Sequence, residues 1–304
     1  MSDVQSLLKG MAGGDHRSLA RAITVVENEL PGHKELLASL DFSGACPIIG
    51  VTGPPGAGKS TVINNYITAL TGAGKRVGVI AVDPTSPFNF GSLLGDRLRM
   101  SEHFNNPNVF IRSLATRGSL GGLSAKAIEV SDVMRTAGFD VVILETVGVG
   151  QSEVEIAGLA DVTILVLVPE AGDEVQAIKS GVMEIADVFV VNKSDRPGAN
   201  TFLKNLHGMV SHRSVTTTLP QIVKTVGIKN EGTAELITAV ELMMQEARDD
   251  SRTALLYADK AFRLIQEDVM RKVDRKLLLN QVNEALHQGD FHLYRFVESY
   301  LSGC

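Results

Sequence analysis

The run Gly53-Pro54-Pro55-Gly56-Ala57-Gly58-Lys59-Ser60 constrains this chain more than any other stretch. It matches G-x-x-x-x-G-K-[ST] and lies between an apolar run ending at Thr52 and a helical pattern opening at Ser60. A strand, a glycine-rich turn and a helix in that order make a phosphate cradle. The glycines let backbone N–H groups close around phosphate oxygens, and the helix N-terminus adds the positive end of its dipole. In such a cradle Lys59 supplies a point charge to the β and γ phosphates and the Ser60 hydroxyl reaches Mg²⁺. Gly53 through Thr61 are therefore the candidate nucleotide-binding residues. A glycine-rich turn without a ligand can share the spelling, but it has no need of this strand before it and this helix after it.

From Cys46 onward the chain alternates short apolar runs with longer helical patterns, which predicts βαβ units around a buried sheet. The expected strands are 47–52, 76–82, 109–112, 141–144, 163–168, 188–191 and 221–225. Several lack polar alternation, as strands covered on both faces do. The expected fold is therefore α/β, a P-loop NTPase with a doubly wound, mostly parallel sheet. Before it, Leu19, Ile23, Val26 and Leu30 recur at helical spacing behind the N-cap candidates Asp15 and Ser18, and a shorter helix is expected over 35–40. After it, Ala258, Phe262, Ile265, Val269 and Val273 form an apolar stripe that needs a partner surface, either the parent domain or another molecule. The division expected is an N-terminal helical extension over 1–44, a P-loop domain over 45–250 and a C-terminal helical dimerisation or docking arm over 251–304.

Composition removes several function classes. A net charge of −6, no Trp and 5% aromatic residues leave little to neutralise a phosphate backbone or stack on bases, so nucleic acid is not expected as a partner. Cys46 and Cys304 form no C-x-x-C pair, which points away from a disulfide framework or a thiolate metal site and towards a reducing cytoplasm. The longest apolar stretch, 162–168, falls far short of the roughly 20 residues that span a bilayer, so no membrane partner is expected.

A second motif, Asn192-Lys193-Ser194-Asp195, follows the apolar run 188–191 and resembles the N-K-x-D guanine-reading sequence of GTPases. The carboxylate of Asp195 can accept from both N1–H and the exocyclic amine of guanine. Adenine offers an acceptor at N1 and no amine beside it, so it would leave buried polar groups unpaired. Acids stand at two strand ends between the motifs. Asp83 follows 77–82, and Glu145 opens Glu145-Thr146-Val147-Gly148, a D-x-x-G-like sensor with Glu in place of Asp. Gly148 is placed to offer its amide to a γ-phosphate, and Glu145 to hold a metal-bound water. Ser60, Asp83 and Glu145 are candidates for the Mg²⁺ group, Asp96 in Gly95-Asp96-Arg97 is a further functional candidate, and Lys59, Glu145 and Gly148 are the expected catalytic residues. Gln151 stands later after Gly148 than a water-orienting Gln usually does. Arg112, Arg117 and Arg135 are candidates for an arginine finger, with nothing in the sequence to choose among them.

Beyond these motifs, the strings at 19–28, 81–87, 94–100, 111–118, 145–153, 172–176 and 183–187 resemble the MeaB/ArgK family of GTPases associated with methylmalonyl-CoA mutase. The resemblance covers roughly residues 16–196. It implies a homodimeric, slowly hydrolysing, Mg²⁺-dependent GTP/GDP-binding chaperone that gates adenosylcobalamin loading and protects an adenosylcobalamin-dependent acyl-CoA mutase. By position it implies metal-binding roles for Asp83, Asp96 and Glu145, a switch near 148–153 and a further switch over 169–176. Thr225, Val226 and Gly227 stand where G proteins carry a small-residue loop behind the guanine base. Asn89-Phe90-Gly91 and Glu170 depart from the family's pattern, with Gly expected at the latter. Two other readings compete. A P-loop kinase or ATPase phosphorylating a protein or small molecule lacks an acceptor motif. A nickel-delivery GTPase would want His-rich tracts or paired cysteines, and His207, His212, His287 and His292 are spaced as surface or capping residues instead.

Overall fold

Each of the seven apolar runs forms a strand: β1 (Ile48–Thr52), β2 (Val77–Asp83), β3 (Val109–Ala115), β4 (Val141–Thr146), β5 (Val162–Leu167), β6 (Val188–Val191) and β7 (Gln221–Lys224). They join in one sheet of order β3-β2-β4-β1-β5-β6-β7. Every pairing is parallel, where the sequence suggested a mostly parallel sheet. The structure, a computed structural model, describes residues 2–83, 100–115, 125–146, 156–171, 180–211, 219–246, 250–270, 273–289 and 291–302.

The helices between strands are α4 (Lys59–Gly72), α5 (Ala125–Arg135), α6 (Ser180–Ile185) and α7 (Ala199–Ser211), and α8 (Thr233–Glu246) follows β7. Side chains alternate across each strand, so β5 sends Ile164 and Val166 into the layer shared with Ile63, Ile67, Leu236 and Val240 of α4 and α8. Leu165 and Leu167 point the other way and meet Phe189, Phe202 and Leu206, the last two on α7. Burial on both faces explains why these strands read as continuous apolar runs. Gly50 marks a close approach on the α7 side of β1: a Cβ there would lie 2.8 Å from Ile156 Cγ1 and 2.9 Å from Ala160 Cβ.

Three helices precede the sheet: α1 (Ser2–Ala12), α2 (His16–Glu27) and α3 (His33–Ala38). Asp15 caps α2, its carboxylate accepting from the Arg17 and Ser18 amides. The sequence reading missed α1, although Val4, Leu7 and Met11 carry helical spacing and are buried. Helix α2 packs on α1 and α5. Its C-terminal end is held by two ion pairs, Glu27 with Arg112 of β3 and Glu29 with Lys126 of α5.

The chain divides into two compact units, Met1–Lys260 and Ala261–Cys304. Helix α9 (Asp250–Met270) carries the boundary; α10 (Arg275–His287) and α11 (Leu293–Ser302) complete the second unit. Neither α10 nor α11 contains a buried residue. Within the first unit, Lys260 of α9 is buried with its ammonium 3.9 Å from the Asp132 carboxylate of α5. Burial pushes the Asp132 carboxyl up and the Lys260 ammonium down, and each charge partly offsets the other's desolvation.

A buried pair costs more to break than to replace. Lys260→Met is expected to lower unfolding stability by about 2 kcal/mol, and adding Asp132→Leu to restore at least half of it. Urea-unfolding midpoints of the two variants against the parent measure both changes.

Candidate nucleotide-binding site

In an all-parallel sheet every strand ends at the same edge, so the loops after β1, β2, β4, β5, β6 and β7 gather there. β1 leads away to β2 on one side and its neighbour β5 to β6 on the other, which opens a crevice at the carboxyl end of β1. The Gly53–Ser60 turn fills that position, between β1 and α4. Its glycines are needed for backbone shape. Gly53, at φ 140°, has no room for a Cβ, which would lie 2.2 Å from the Val166 carbonyl oxygen. Gly58, at φ 89°, caps α4, and a Cβ there would lie 2.4 Å from Asn192 Nδ2. The Lys59 ammonium donates to the carbonyls of Gly53 at 2.8 Å and Pro54 at 3.1 Å, standing over the loop it would share with phosphates. The adjoining cleft, of about 470 Å³, is lined by Pro55, Gly58, Lys59, Ser60, Thr61 and Glu145 among others.

β4 brings Glu145 to the same place. Ser60 Oγ donates to Glu145 Oε1 at 3.0 Å, and Glu145 is only 6% exposed. One residue on, Thr146 Oγ1 donates to Thr52 Oγ1 at 3.0 Å and ties β4 to β1 just below the cradle. A hydroxyl and a carboxylate side by side are the hard oxygen donors that Mg²⁺ prefers, so these residues fit that ion. Asp83 closes β2, two residues beyond the Ala81 that stands in register with Glu145. Asp96, Gly148 and Gln151, and the side chain of Asp83, lie outside the described residues.

Asn192 joins the parts. Its Nδ2 donates to the Ala57 carbonyl at 2.8 Å, and its Oδ1 accepts from Thr225 Oγ1 at 3.1 Å and from the Gly227 amide at 3.0 Å. One buried side chain thus links the phosphate loop, the end of β6 and the loop after β7. Lys193, at φ 56°, donates from Nζ to the Gly56 carbonyl at 2.8 Å, so its stem spans from the end of β6 to the cradle. The Ser194 amide and hydroxyl both donate to the Thr225 carbonyl. Asp195 stays half-exposed, with Lys229 Nζ 3.5 Å from its Oδ2. Thr225 and Gly227 meet Asn192 directly, whereas Val226 is buried and bridges its backbone to Glu231. Thr61 stands against Gly227.

Sequence reasoning missed Asn65 and Lys229. Asn65 Nδ2 donates to the Gly227 carbonyl at 2.7 Å, from a position on α4 that carries no sequence signal. Of the arginine candidates, Arg112 pairs with Glu27 and Arg135 donates to the Cys46 carbonyl, while Arg117 lies outside the described residues. The Cys46 thiol is buried and pushed up to about 12, which removes it from thiolate chemistry. Among the described residues no cluster of His, Cys, Asp and Glu has metal-binding form, and His292 Nδ1 accepts from the Arg295 amide at the start of α11.

The geometry agrees with what the chain is similar to. The profile of the methylmalonyl-CoA mutase-associated GTPase MeaB family matches residues 19–282. A Pyrococcus abyssi protein carried under the provisional name of a GTPase is 41% identical, over 95% of this chain and 89% of its own. The Escherichia coli GTPase ArgK is 44% identical over 62% of this chain and 58% of its own. The mitochondrial methylmalonic aciduria type A homologue of Caenorhabditis elegans is 42% identical over 64% and 52%. Among solved structures, one titled LAO/AO transport system kinase superimposes with a TM-score of 0.70 at 26% identity, over 98% of this chain and 96% of that one. The chain belongs to the MeaB family. The family match runs to residue 282, well past residue 196, where the resemblance read from the sequence ends.

Asn192→Ala leaves the Thr225 hydroxyl and the Gly227 amide without their buried acceptor. We expect a loss of about 2 kcal/mol in unfolding stability together with weaker nucleotide binding, read by thermal shift with and without nucleotide.

Proposed function

We propose, from that membership, that this chain binds and hydrolyses GTP and couples its nucleotide state to an adenosylcobalamin-dependent acyl-CoA mutase of the methylmalonyl-CoA mutase type, gating cofactor loading and protecting the mutase. The observation that carries the guanine half is the Asn192 junction. It sets Asp195 at the rim of the crevice while its own amide is spent on the cradle, so the carboxylate is left to read the base. Two acceptor oxygens on one base edge match N1–H and the exocyclic amine of guanine and mismatch adenine, which disfavours the kinase reading.

In hydrolysis, water attacks the γ-phosphorus, the bond to the β-bridging oxygen breaks, and GDP and inorganic phosphate leave. Backbone amides of Gly56 to Ser60 and the Lys59 ammonium hold the phosphate oxygens and offset charge building on the bridging oxygen. Ser60 and Glu145, with Asp83 and Asp96 as further candidates, would hold Mg²⁺, which supplies charge neutralisation between the β and γ phosphates. Gly148 is proposed to donate its amide to the γ-phosphate. Arg112 and Arg135 are engaged elsewhere, which supports a slow intrinsic rate, since a placed arginine finger adds roughly 10³ to 10⁵.

The client half rests on the family and on where loops meet. Glu170, at the start of the proposed 169–176 switch, hydrogen-bonds Arg196, and this contact holds the Glu170 carboxyl below the usual range. The switch thereby begins one ion pair away from the residue that follows Asp195. We propose that 251–304 form a homodimerisation arm, supported by Phe262, Ile265, Leu279, Leu286 and Leu301, each more than half exposed. No helix among the described residues is long and apolar enough to cross a membrane, which is compatible with the cytoplasmic location proposed.

Calorimetry with GDP and ADP, then with a purified adenosylcobalamin-dependent mutase, tests both halves. Tight GDP binding, no ADP binding and nucleotide-dependent mutase association are expected. Asp195→Asn should weaken GDP at least tenfold and shift preference towards xanthosine diphosphate, whose C2 oxygen accepts a hydrogen bond. Unchanged GDP affinity in that variant refutes the guanine assignment, and preference for ADP returns the kinase reading.

A further inference from the structure

The nucleotide crevice lies at the carboxyl end of the sheet; a second cavity lies at the other end, beside the start of β3. It measures about 340 Å³ and is lined by His16, His103, Phe104, Val109, Phe110 and Ile111. Among the described strands β3 is outermost and pairs only with β2. The Val77 amide donates to the Asn108 carbonyl at 2.8 Å, so by the alternation of a parallel ladder the backbone groups of Phe110 and Arg112 also face β2. Those of Val109 and Ile111 face outward. The Val109 amide is taken by the Asn106 carbonyl at 3.0 Å. The Val109 carbonyl, the Ile111 amide and the Ile111 carbonyl then stand in a row beside the cavity, as acceptor, donor and acceptor, and nothing among the described residues pairs with them.

The walls suit a flat ring. Phe104 is 51% exposed, an aromatic face left in water. His103, by contrast, is 5% exposed, and its Nε2 is buried with no hydrogen-bond partner among the described residues. A buried imidazole nitrogen without a partner is costly to the fold. It donates or accepts according to tautomer, so either kind of polar atom on a ligand would satisfy it. Across the cavity His16 meets the Phe110 ring edge-on, with centroids 5.4 Å apart. Burial, and then the Arg76 charge, hold the His16 imidazole below its ordinary value, so at neutral pH it presents an uncharged ring.

We propose that this cavity binds a planar nitrogen heterocycle of the aminopurine or aminopyrimidine class: its amino group and adjacent ring nitrogen pair with the Val109 carbonyl and the Ile111 amide, its face lies against Phe104, and His103 Nε2 takes a further polar atom. An added peptide strand would use the same backbone row. Here the Asn106 carbonyl closes the row at its start and aromatic rings bound the space, which favours one small ring. Adenine, with its amine beside N1, carries the complementary edge. The inference does not rest on the guanine reading, because the two cavities stand at opposite ends of the sheet.

The experiment titrates adenine into the full chain by saturation-transfer NMR, alone and with saturating GDP. Adenine should bind with a Kd on the order of 1 mM or below, and GDP should leave that value unchanged. A 6-dimethylaminopurine probe, which has lost the amino donor, should bind about fivefold more weakly or worse. Phe104→Ser should weaken adenine by a similar factor. His103→Phe removes the orphaned nitrogen and keeps a ring, so the melting temperature without ligand should hold or rise while adenine binding falls about tenfold. A histidine with a purely structural role would leave adenine binding where it was. Adenosine, titrated in parallel, binds as adenine does if the site takes a nucleoside and more weakly if it takes the free base, and either result supports the site. No binding of adenine up to its solubility limit, its displacement by GDP, or parental affinity in both Phe104→Ser and His103→Phe overturns the proposal.

Discussion

The side-chain amide of Asn192 is the interaction on which the site depends. The glycine-rich loop after β1 and the Asn192–Asp195 loop after β6 leave strands that are separated by β5, and each is a loop with freedom of its own. Asn192 closes both onto itself with one donor and one acceptor, satisfied by Ala57, Thr225 and Gly227. In a buried position those bonds are expensive to leave unmade, so the spacing between the two loops becomes a property of the fold. The absence of a Cβ at Gly58 belongs to the same arrangement, since the Asn192 amide occupies the space a side chain would need.

Much of this was legible in the sequence. The seven strands were, because strands buried on both faces leave unbroken apolar runs and the turns between them carry glycine and polar residues. The cradle and the N-K-x-D sequence were legible because their chemistry fixes residue types at fixed spacing. Helix α1 was not read, although Val4, Leu7 and Met11 held the signal; Gly10, Gly13 and Gly14 lower the helix propensity of so short a stretch. Lys229 and Asn65 were illegible for a different reason. Their partners, Asp195 and Gly227, are brought to them by strand order, and no local spacing encodes which loops a parallel sheet will gather at one edge.

The acids at strand ends divide in the same way. Glu145 could be placed from the sequence because β4 stops there, and the structure joins it to Ser60. Its depth in the protein came only with the fold, since β4 runs between β1 and β2 and is covered on both sides. The arginines show the converse. Arg112 and Arg135 read as free cations in the sequence, and only the packing of α2 and the start of β1 reveals that Glu27 and the Cys46 carbonyl occupy them.

The register of β1 has a consequence for how the protein comes into being. The strand that delivers the cradle pairs with β4 on one edge and β5 on the other, and with neither β2 nor any earlier segment. A growing chain that has just emerged with this loop therefore lacks both strands that flank β1 in the finished sheet, the later of which ends at Leu167. The Asn192 junction follows later, and Thr225 later still. Nucleotide capture is thus expected to come late, after the strands that carry all of these loops have been made.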